Sequence, residues 1–162
     1  MNSNEQSMPQ SPRRRKHALA WFLGAGFIGF LDSAYLTITH FIGSPVTCGF
    51  FTGCDVVTSS EYSAIAGIPI ALFGTLYYLF WVLLCVWYLD SRNTLFLTLL
   101  PLTAVGFGVS LILIGIQLFI IDAICVYCML SAASSTALFI LSFVIRKVGP
   151  NETPAITYSS AI

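Results

Sequence analysis

Residues 122–147 read DAICVYCMLSAASSTALFILSFVIRK, an apolar stretch that opens on two cysteines and closes on two basic residues. About 20 predominantly apolar residues are enough to cross the hydrocarbon core of a bilayer as a helix. The stretch therefore predicts a transmembrane helix over about residues 123–145. The cysteines would lie at one membrane surface and the basic residues at the other.

Three similar stretches precede this one. They cover about residues 18–42, 69–89 and 95–121, and with them 57% of the chain is hydrophobic and only 9% is charged. A soluble domain has about 25% charged residues. The expected fold is an all-α membrane protein, a bundle of four transmembrane helices.

The polar segments complete the predicted organisation. A long loop at 43–68 joins the first two spans, and its capping-box motif, Thr58-Ser59-Ser60-Glu61, predicts a short helix near 59–66. We expect a disordered N-terminus at 1–17 and a polar tail at 148–162, flanking a transmembrane redox domain at 18–147.

The basic residues indicate how the bundle is oriented. All seven lysines and arginines fall on the side of the two termini, and the other side holds only acids, Asp55, Glu61 and Asp122. Positively charged segments stay in the cytoplasm. We therefore expect cytoplasmic termini and an outward-facing loop, in a bacterial inner or plasma membrane or with that loop in the lumen of the endoplasmic reticulum. The one basic run directly precedes the first span, so no nucleic-acid partner is predicted.

Four of the five cysteines form two close pairs on the outward side, where disulfides persist. Cys48 and Cys54 lie in the loop, and Cys125 and Cys128 lie at the start of the fourth span. With Asp122 as N-cap, Cys125 would be the third helical residue, where the helix N-terminus stabilises a thiolate. Cys125 could then meet a protein thiol, while Cys128, one turn deeper, could meet a molecule in the lipid.

Two further positions are candidates for a role at the site. Asp32 shares a polar face of the first span with Tyr35 and Thr39; an ionisable residue at that depth is costly, and it indicates either a functional group or a structural hydrogen bond. Ala132 lies on the same face of the fourth span as Cys128. Its small side chain could allow close helix packing or leave room for a flat ring.

Several motifs together resemble the vitamin K epoxide reductase family. The resemblance covers about residues 18–145 and implies a four-helix bundle around a quinone that receives electrons from thiols. The motifs are SAYLT at 33–37, the spacing of Cys48 and Cys54, GCDVVTSS at 53–60, GIPIALFG at 67–74 and CVYC at 125–128.

The resemblance also implies roles for individual residues. Cys125 and Cys128 would be the active-site pair, with Cys128 beside the quinone. Cys48 and Cys54 would be the shuttle pair, with Cys54 exchanging with Cys125. Ser60 corresponds to a loop serine near the site, and Ser60, Asp32 and Ala132 are expected to bind the quinone together with Cys128.

This chain departs from the vertebrate members where they hold vitamin K. Those proteins carry an asparagine near position 70 and a tyrosine near position 132, whereas this chain has Ile70 and Ala132. The departure favours a simple quinone, ubiquinone or menaquinone, over an epoxide. Some bacterial relatives carry a fused thioredoxin-like domain that this sequence lacks, so a separate thioredoxin-fold thiol protein is the expected partner.

The predicted function is that of a quinone-dependent thiol oxidase that generates disulfides outside the cytoplasm, without a metal. Three alternatives stay open: reduction of vitamin K epoxide or quinone, a metal site built from four thiolates, and a non-catalytic scaffold with permanent disulfides. Metal analysis and substrate assays would distinguish them.

Overall fold

The structure, a computed structural model, describes residues 12–46, 53–65, 67–91 and 95–147. Four helical stretches within these residues are long and apolar enough to cross a membrane. The predicted fold, a bundle of four transmembrane helices with a long loop containing a short helix, is confirmed. The four stretches are Arg14–Ile42, Ile70–Asp90, Leu97–Ile121 and Val126–Lys147.

The first helix, α1, spans Pro12–Ile42 and begins six residues before its predicted start. Disorder over residues 12–17 is therefore a wrong prediction, and residues 1–11 lie outside the described part of the chain. Proline suits a first helical turn. One turn further on, the Arg15 guanidinium donates a hydrogen bond to the Tyr88 hydroxyl and lies 5.4 Å from the centre of its ring. These contacts hold the start of α1 in place.

The long loop is more structured than predicted, and its helix lies elsewhere. Helix α2 spans Gly53–Thr58, and a 3-10 turn, Glu61–Ser63, leads into a small hairpin of β1 (Ala64–Ile65) and β2 (Ile68–Pro69). The Thr58 hydroxyl donates back to the Cys54 carbonyl at 2.8 Å. Threonine thus closes the end of α2 instead of capping a helix over 59–66.

The remaining spans differ in regularity. Helix α3 (Ile70–Ser91) and helix α6 (Val126–Lys147) are continuous. The third span is composite, because Pro101 lacks the backbone N–H that a continuous helix would need. It consists of α4 (Leu95–Leu99), a 3-10 turn (Leu100–Leu102), α5 (Thr103–Ile116) and a π-helical turn (Gln117–Ile121).

Neighbouring spans run antiparallel, as hydrogen bonds between them show. The start of α1 meets the end of α3 through Arg15 and Tyr88, and the hydroxyls of Thr37 and Thr75 lie 3.1 Å apart near the opposite ends. Helix α1 packs against α3 and α6, and α6 also packs against α5. The C-terminal end of α1, the start of α3 and the start of α6 therefore lie together at one end of the bundle.

Two apolar clusters stabilise the two ends. The larger one contains Trp81, Phe22 and Leu138 together with Cys85, whose thiol is free and buried. The smaller one contains Cys54 and Cys125. Between the clusters, α1 turns Asp32, Ser33, Thr37 and Thr39 inward and leaves Phe27, Leu31, Ile38 and Phe41 exposed on the outer face of the bundle.

Candidate functional site

A turn between the third and fourth spans sets the position of Cys125. The π-helical turn ends at Asp122, which has a left-handed backbone with φ 52°, a conformation that Asp tolerates better than most residues. The Gln117 carbonyl accepts the N–H of Ala123 at 3.2 Å, and the Gln117 side-chain Oε1 accepts the N–H of Cys125 at 3.1 Å. Buried Gln117 therefore holds both sides of the turn.

Gln117 was not among the site residues predicted from the sequence. It could have been noticed as a polar amide within an otherwise apolar span, because such a group is costly there unless it is hydrogen-bonded. The structure shows which group it serves: the backbone of Cys125.

Cys125 is the N-cap of α6 and not its third residue. The N–H of Met129 donates to the Cys125 carbonyl at 3.0 Å, and the N–H of Cys128 donates to the Cys125 sulfur at 3.4 Å. A sulfur thus takes the place that a side-chain oxygen usually occupies at a helix start. The prediction of Asp122 as N-cap is wrong. The left-handed backbone of Asp122 ends the preceding turn, and the chain becomes helical only from Val126.

Hydrogen bonds stabilise the thiolate form of Cys125. The pKa of the Cys125 thiol is lowered to about 7. The hydrogen bond with the Cys128 side chain has the largest effect on this pKa, and the backbone N–H groups of Cys128 and Tyr127 lower it further. Burial of the thiol acts in the opposite direction. Cys128 lies three residues further along α6, or about 4.5 Å deeper. The two thiols therefore differ in both depth and chemistry.

Cys54 lies on α2, fully buried and disulfide-bonded. Its disulfide does not involve Cys125, Cys128 or Cys85, which carry free thiols. The predicted shuttle partner, Cys48, lies outside the described residues. Cys54 and Cys125 belong to the same small apolar cluster, with Leu36, Val46 and Val57.

A close backbone contact links the two cysteine segments. A Cβ atom added to Gly53 would lie 2.5 Å from the carbonyl oxygen of Ile124 and 3.0 Å from its nitrogen. Gly53 directly precedes Cys54, and Ile124 directly precedes Cys125. Only glycine allows α2 to approach the turn this closely. The contact therefore brings the outer segment, which carries Cys54, close to the inner pair, Cys125 and Cys128.

A cavity of about 590 Å³ opens between α1, α3, α5, α6 and the loop. Cys128 and Ala132 line it together with Ile70, and Ser60 lies at its border, where the Ser60 hydroxyl donates to the Val57 carbonyl at 2.7 Å. Cys54 and Cys125 are not part of its lining. Of the inner pair, Cys128 is therefore the member that faces the cavity.

The cavity suits a flat apolar ring with two carbonyl oxygens. Its volume is in the range of ligand sites, roughly 300–1,000 Å³. Its wall carries hydroxyl groups among apolar side chains: the Tyr78 and Ser131 hydroxyl oxygens lie 3.0 Å apart, and those of Ser110 and Ser135 lie 2.6 Å apart. The residues present thus fit a quinone.

Asp32 lies beside the cysteine pair and does not line the cavity. It is 6% exposed, and neither carboxyl oxygen has a hydrogen-bond partner among the described residues. It interacts electrostatically with Cys125 and Cys128. Asp32 therefore lies next to the sulfurs, and its part in binding the quinone stays a prediction.

Within the described residues, no group of three or more His, Cys, Asp or Glu side chains is placed to hold a metal ion. Cys48 lies outside that part of the chain, so metal analysis of the purified protein is needed to test a site built from all four thiolates.

The comparison with known families agrees with this geometry. The model of the vitamin K epoxide reductase family matches residues 20–143, which include most of all four spans, both cysteine pairs and the cavity. No curated protein matches the chain. Since the matched region covers well over half of the 162 residues, the chain belongs to the vitamin K epoxide reductase family.

Proposed function

We propose that this protein is a quinone-dependent thiol oxidase that generates disulfides in a partner protein outside the cytoplasm. The family consists of membrane oxidoreductases, generally linked to quinones. The finer assignment is supported by one arrangement: α2 contacts the Cys125 turn at Gly53, while only Cys128 of the inner pair faces the cavity.

This arrangement gives the cysteines an order. A thiolate of the reduced partner attacks the disulfide of Cys48 and Cys54 at Cys48 and releases Cys54, and the partner's second thiolate then displaces Cys48 and closes the partner's own disulfide. The released Cys54 attacks the Cys125–Cys128 disulfide at Cys125, which frees Cys128 at the cavity wall. Cys48 then restores the outer disulfide and leaves the inner pair reduced, by the usual route of mixed disulfides.

The chain's residues would hold and orient a quinone at the cavity. A bound quinone supplies a two-electron acceptor. Cys128, Ala132 and the hydroxyls of Tyr78 and Ser131 would surround it, whereas Ile70 offers no polar group. Because Ile70 and Ala132 both line the cavity, their difference from the vertebrate residues favours ubiquinone or menaquinone over vitamin K epoxide as substrate.

The proposed setting is the bacterial inner or plasma membrane. The positive-inside rule orients the bundle with Arg146 and Lys147 in the cytoplasm and both cysteine pairs on the periplasmic or extracellular side. A thioredoxin-fold thiol protein is the proposed partner, since it would have to reach a disulfide held at the membrane surface.

The decisive experiment is oxidation of a reduced thioredoxin-fold protein by the purified enzyme, with and without ubiquinone or menaquinone. We expect two thiols to be lost for each quinone that is reduced. Cys128→Ala should abolish both, and Cys85→Ser, in the distant core cluster, should change neither. Equal thiol oxidation without quinone would refute the proposal, and rapid reduction of vitamin K epoxide would favour the alternative activity.

The order of electron transfer makes a separate prediction. In a Cys128→Ser variant, the Cys125 thiolate can attack the outer disulfide at Cys54, but no Cys128 thiol is present to resolve the product, so a Cys54–Cys125 bridge should accumulate, and alkylation of the released Cys48 thiol should prevent its reversal. Mass mapping of the non-reduced protein identifies the bridge. A bridge from Cys54 to Cys85, or none at all, would contradict the proposed order.

A further inference from the structure

Asp32 is buried without a hydrogen bond that would explain it. Its side chain is 6% exposed in the middle of a transmembrane helix, and both carboxyl oxygens lack a partner among the described residues. A buried carboxylate without a partner is strongly disfavoured, so such a group tends to hold a proton. Its persistence in a membrane span calls for a function.

The groups around Asp32 are the reacting ones. From the start of α6 it faces Cys125, Cys128 and Tyr127, and from α3 it faces Tyr78, all through electrostatic interactions. Among the described residues, these interactions include none with a Lys, Arg or His side chain. A negative charge on Asp32 and one on Cys125 would therefore repel each other directly.

The inner pair is one proton short for its proposed reaction. Conversion of a quinone to a quinol takes two electrons and two protons. The hydrogen bonds to Cys125 lower the pKa of its thiol to about 7 and thus favour a reduced pair made of one thiolate and one thiol. The pair can therefore supply both electrons but only the proton on Cys128.

We propose that Asp32 supplies the missing proton, an inference that rests on the proposed function. In the forward step, the Cys125 thiolate and the Cys128 thiol form a disulfide and give two electrons to the quinone. Cys128 releases one proton and the Asp32 carboxyl releases the other, so that a quinol and an Asp32 carboxylate result. The charge of the buried site is minus one before and after the step.

The second half of the cycle restores the proton. When the reduced outer pair attacks the inner disulfide, Cys48 and Cys54 lose two thiol protons and form their own disulfide. One proton goes to Cys128 and the other to Asp32, while Cys125 leaves as the thiolate. Two electrons move inward, and again the buried site keeps a single negative charge. This constancy avoids the cost of two adjacent buried anions.

A hydroxyl offers a route between Asp32 and the cavity. Tyr78 interacts with Asp32 and also lines the cavity. Its hydroxyl donates to the Ser131 carbonyl at 2.6 Å and lies 3.0 Å from the Ser131 hydroxyl, which lines the cavity as well. Asp32 is thus a proton-carrying residue that acts through Tyr78 and not by contact with the ring.

The first test needs no quinone. The purified protein is set to the reduced or oxidised state with a dithiol–disulfide buffer near pH 7, and infrared difference spectra are recorded. We expect the carbonyl stretch of one protonated carboxyl group in the reduced state and its loss on oxidation. Asp32→Asn should remove this band, and Asp90→Asn, an exposed acid near the end of α3, should keep it.

The second test uses quinone. In single turnovers of the reduced enzyme, Asp32→Asn should slow quinone reduction about 100-fold, the typical contribution of a positioned acid. The remaining rate should fall about tenfold for each pH unit above 7, because the proton must then come from hydronium ions in the solvent, whose concentration falls tenfold per unit. Asp32→Glu should restore most of the rate and its weak dependence on pH.

The outcomes separate this inference from the proposed function. A carboxyl band that does not respond to the redox state, or that survives in Asp32→Asn, would overturn the role of Asp32 whatever the quinone assay shows. A band that responds as expected in a protein that fails to reduce any quinone would support Asp32 as proton carrier of the pair and refute the quinone assignment.

Discussion

Cys125 combines three interactions in one residue. Its backbone N–H is held by Gln117, its carbonyl begins α6, and its sulfur accepts the N–H of Cys128. The first two fix the position of the sulfur and the third stabilises its negative charge. A substitution at Gln117 or Cys128 should therefore change the position or the charge of the Cys125 sulfur, although Cys125 itself is unchanged.

The thiolate of Cys125 can be measured by alkylation. In a Cys85→Ser background with the outer disulfide intact, the rate of reaction with iodoacetamide should rise with pH through an inflection near 7 and fall as acid protonates the sulfur. Cys128→Ala removes the largest stabilising hydrogen bond, so the inflection should move up toward the value of about 8.5 of free cysteine. An inflection that does not move would show that Cys128 does not lower the Cys125 pKa.

At the scale of elements, the approach of α2 to the turn before α6 is the critical contact. It depends on Gly53, because a Cβ there would collide with the backbone of Ile124, which cannot rotate away as a side chain can. This contact couples the outer segment to the inner pair more directly than any interaction between the long helices.

Gly53→Ala tests the contact. The added Cβ should displace α2 and slow electron transfer from the outer to the inner pair, by about 10- to 100-fold if the shift reaches 1 Å. Quinone reduction by a chemically reduced inner pair should stay unchanged. The matched control is Gly108→Ala in α5, where a Cβ would meet nothing within 4 Å. Equal rates for both variants would argue against exchange through this contact.

The elements also show what the sequence could predict. The four spans were predicted because long apolar runs depend on local composition alone, and the start of α1 was missed because its Arg15–Tyr88 contact joins distant parts of the chain. That four of the cysteines form two close pairs could be seen from their positions in the sequence. The roles of the site residues stay predictions until they are tested. The place of the loop helix, the cap at Cys125 and the burial of Asp32 each depend on packing between elements.

At the scale of the whole molecule, the bundle separates its functions by end. The smaller cluster with Cys54 and Cys125 lies at one end, and the basic residues that close α6 lie at the other. Cys54 and the inner pair, Cys125 and Cys128, thus lie at the same end of the bundle, as transfer between them requires. That this end of the bundle faces outward is a prediction, which rests on the distribution of the basic residues alone.

Orientation is testable by labelling in a cysteine-free background. Ser59→Cys, exposed after α2, and Lys147→Cys, exposed at the end of α6, provide single reporters at the two ends. In intact cells a membrane-impermeant maleimide should label the first and not the second, and the pattern should reverse in inverted vesicles. The opposite pattern would place the thiols in the cytoplasm and remove the basis for an oxidase.

The sulfur cap of α6 has a thermodynamic consequence. The hydrogen bond from the Cys128 N–H is strongest when Cys125 is a thiolate, and it weakens once that sulfur enters a disulfide. The cap therefore stabilises the dithiol form and makes the reduction potential of the pair more positive, as stabilisation of the reduced form does in strongly oxidising dithiol proteins. A helix start thus contributes to the driving force that draws electrons toward the lipid.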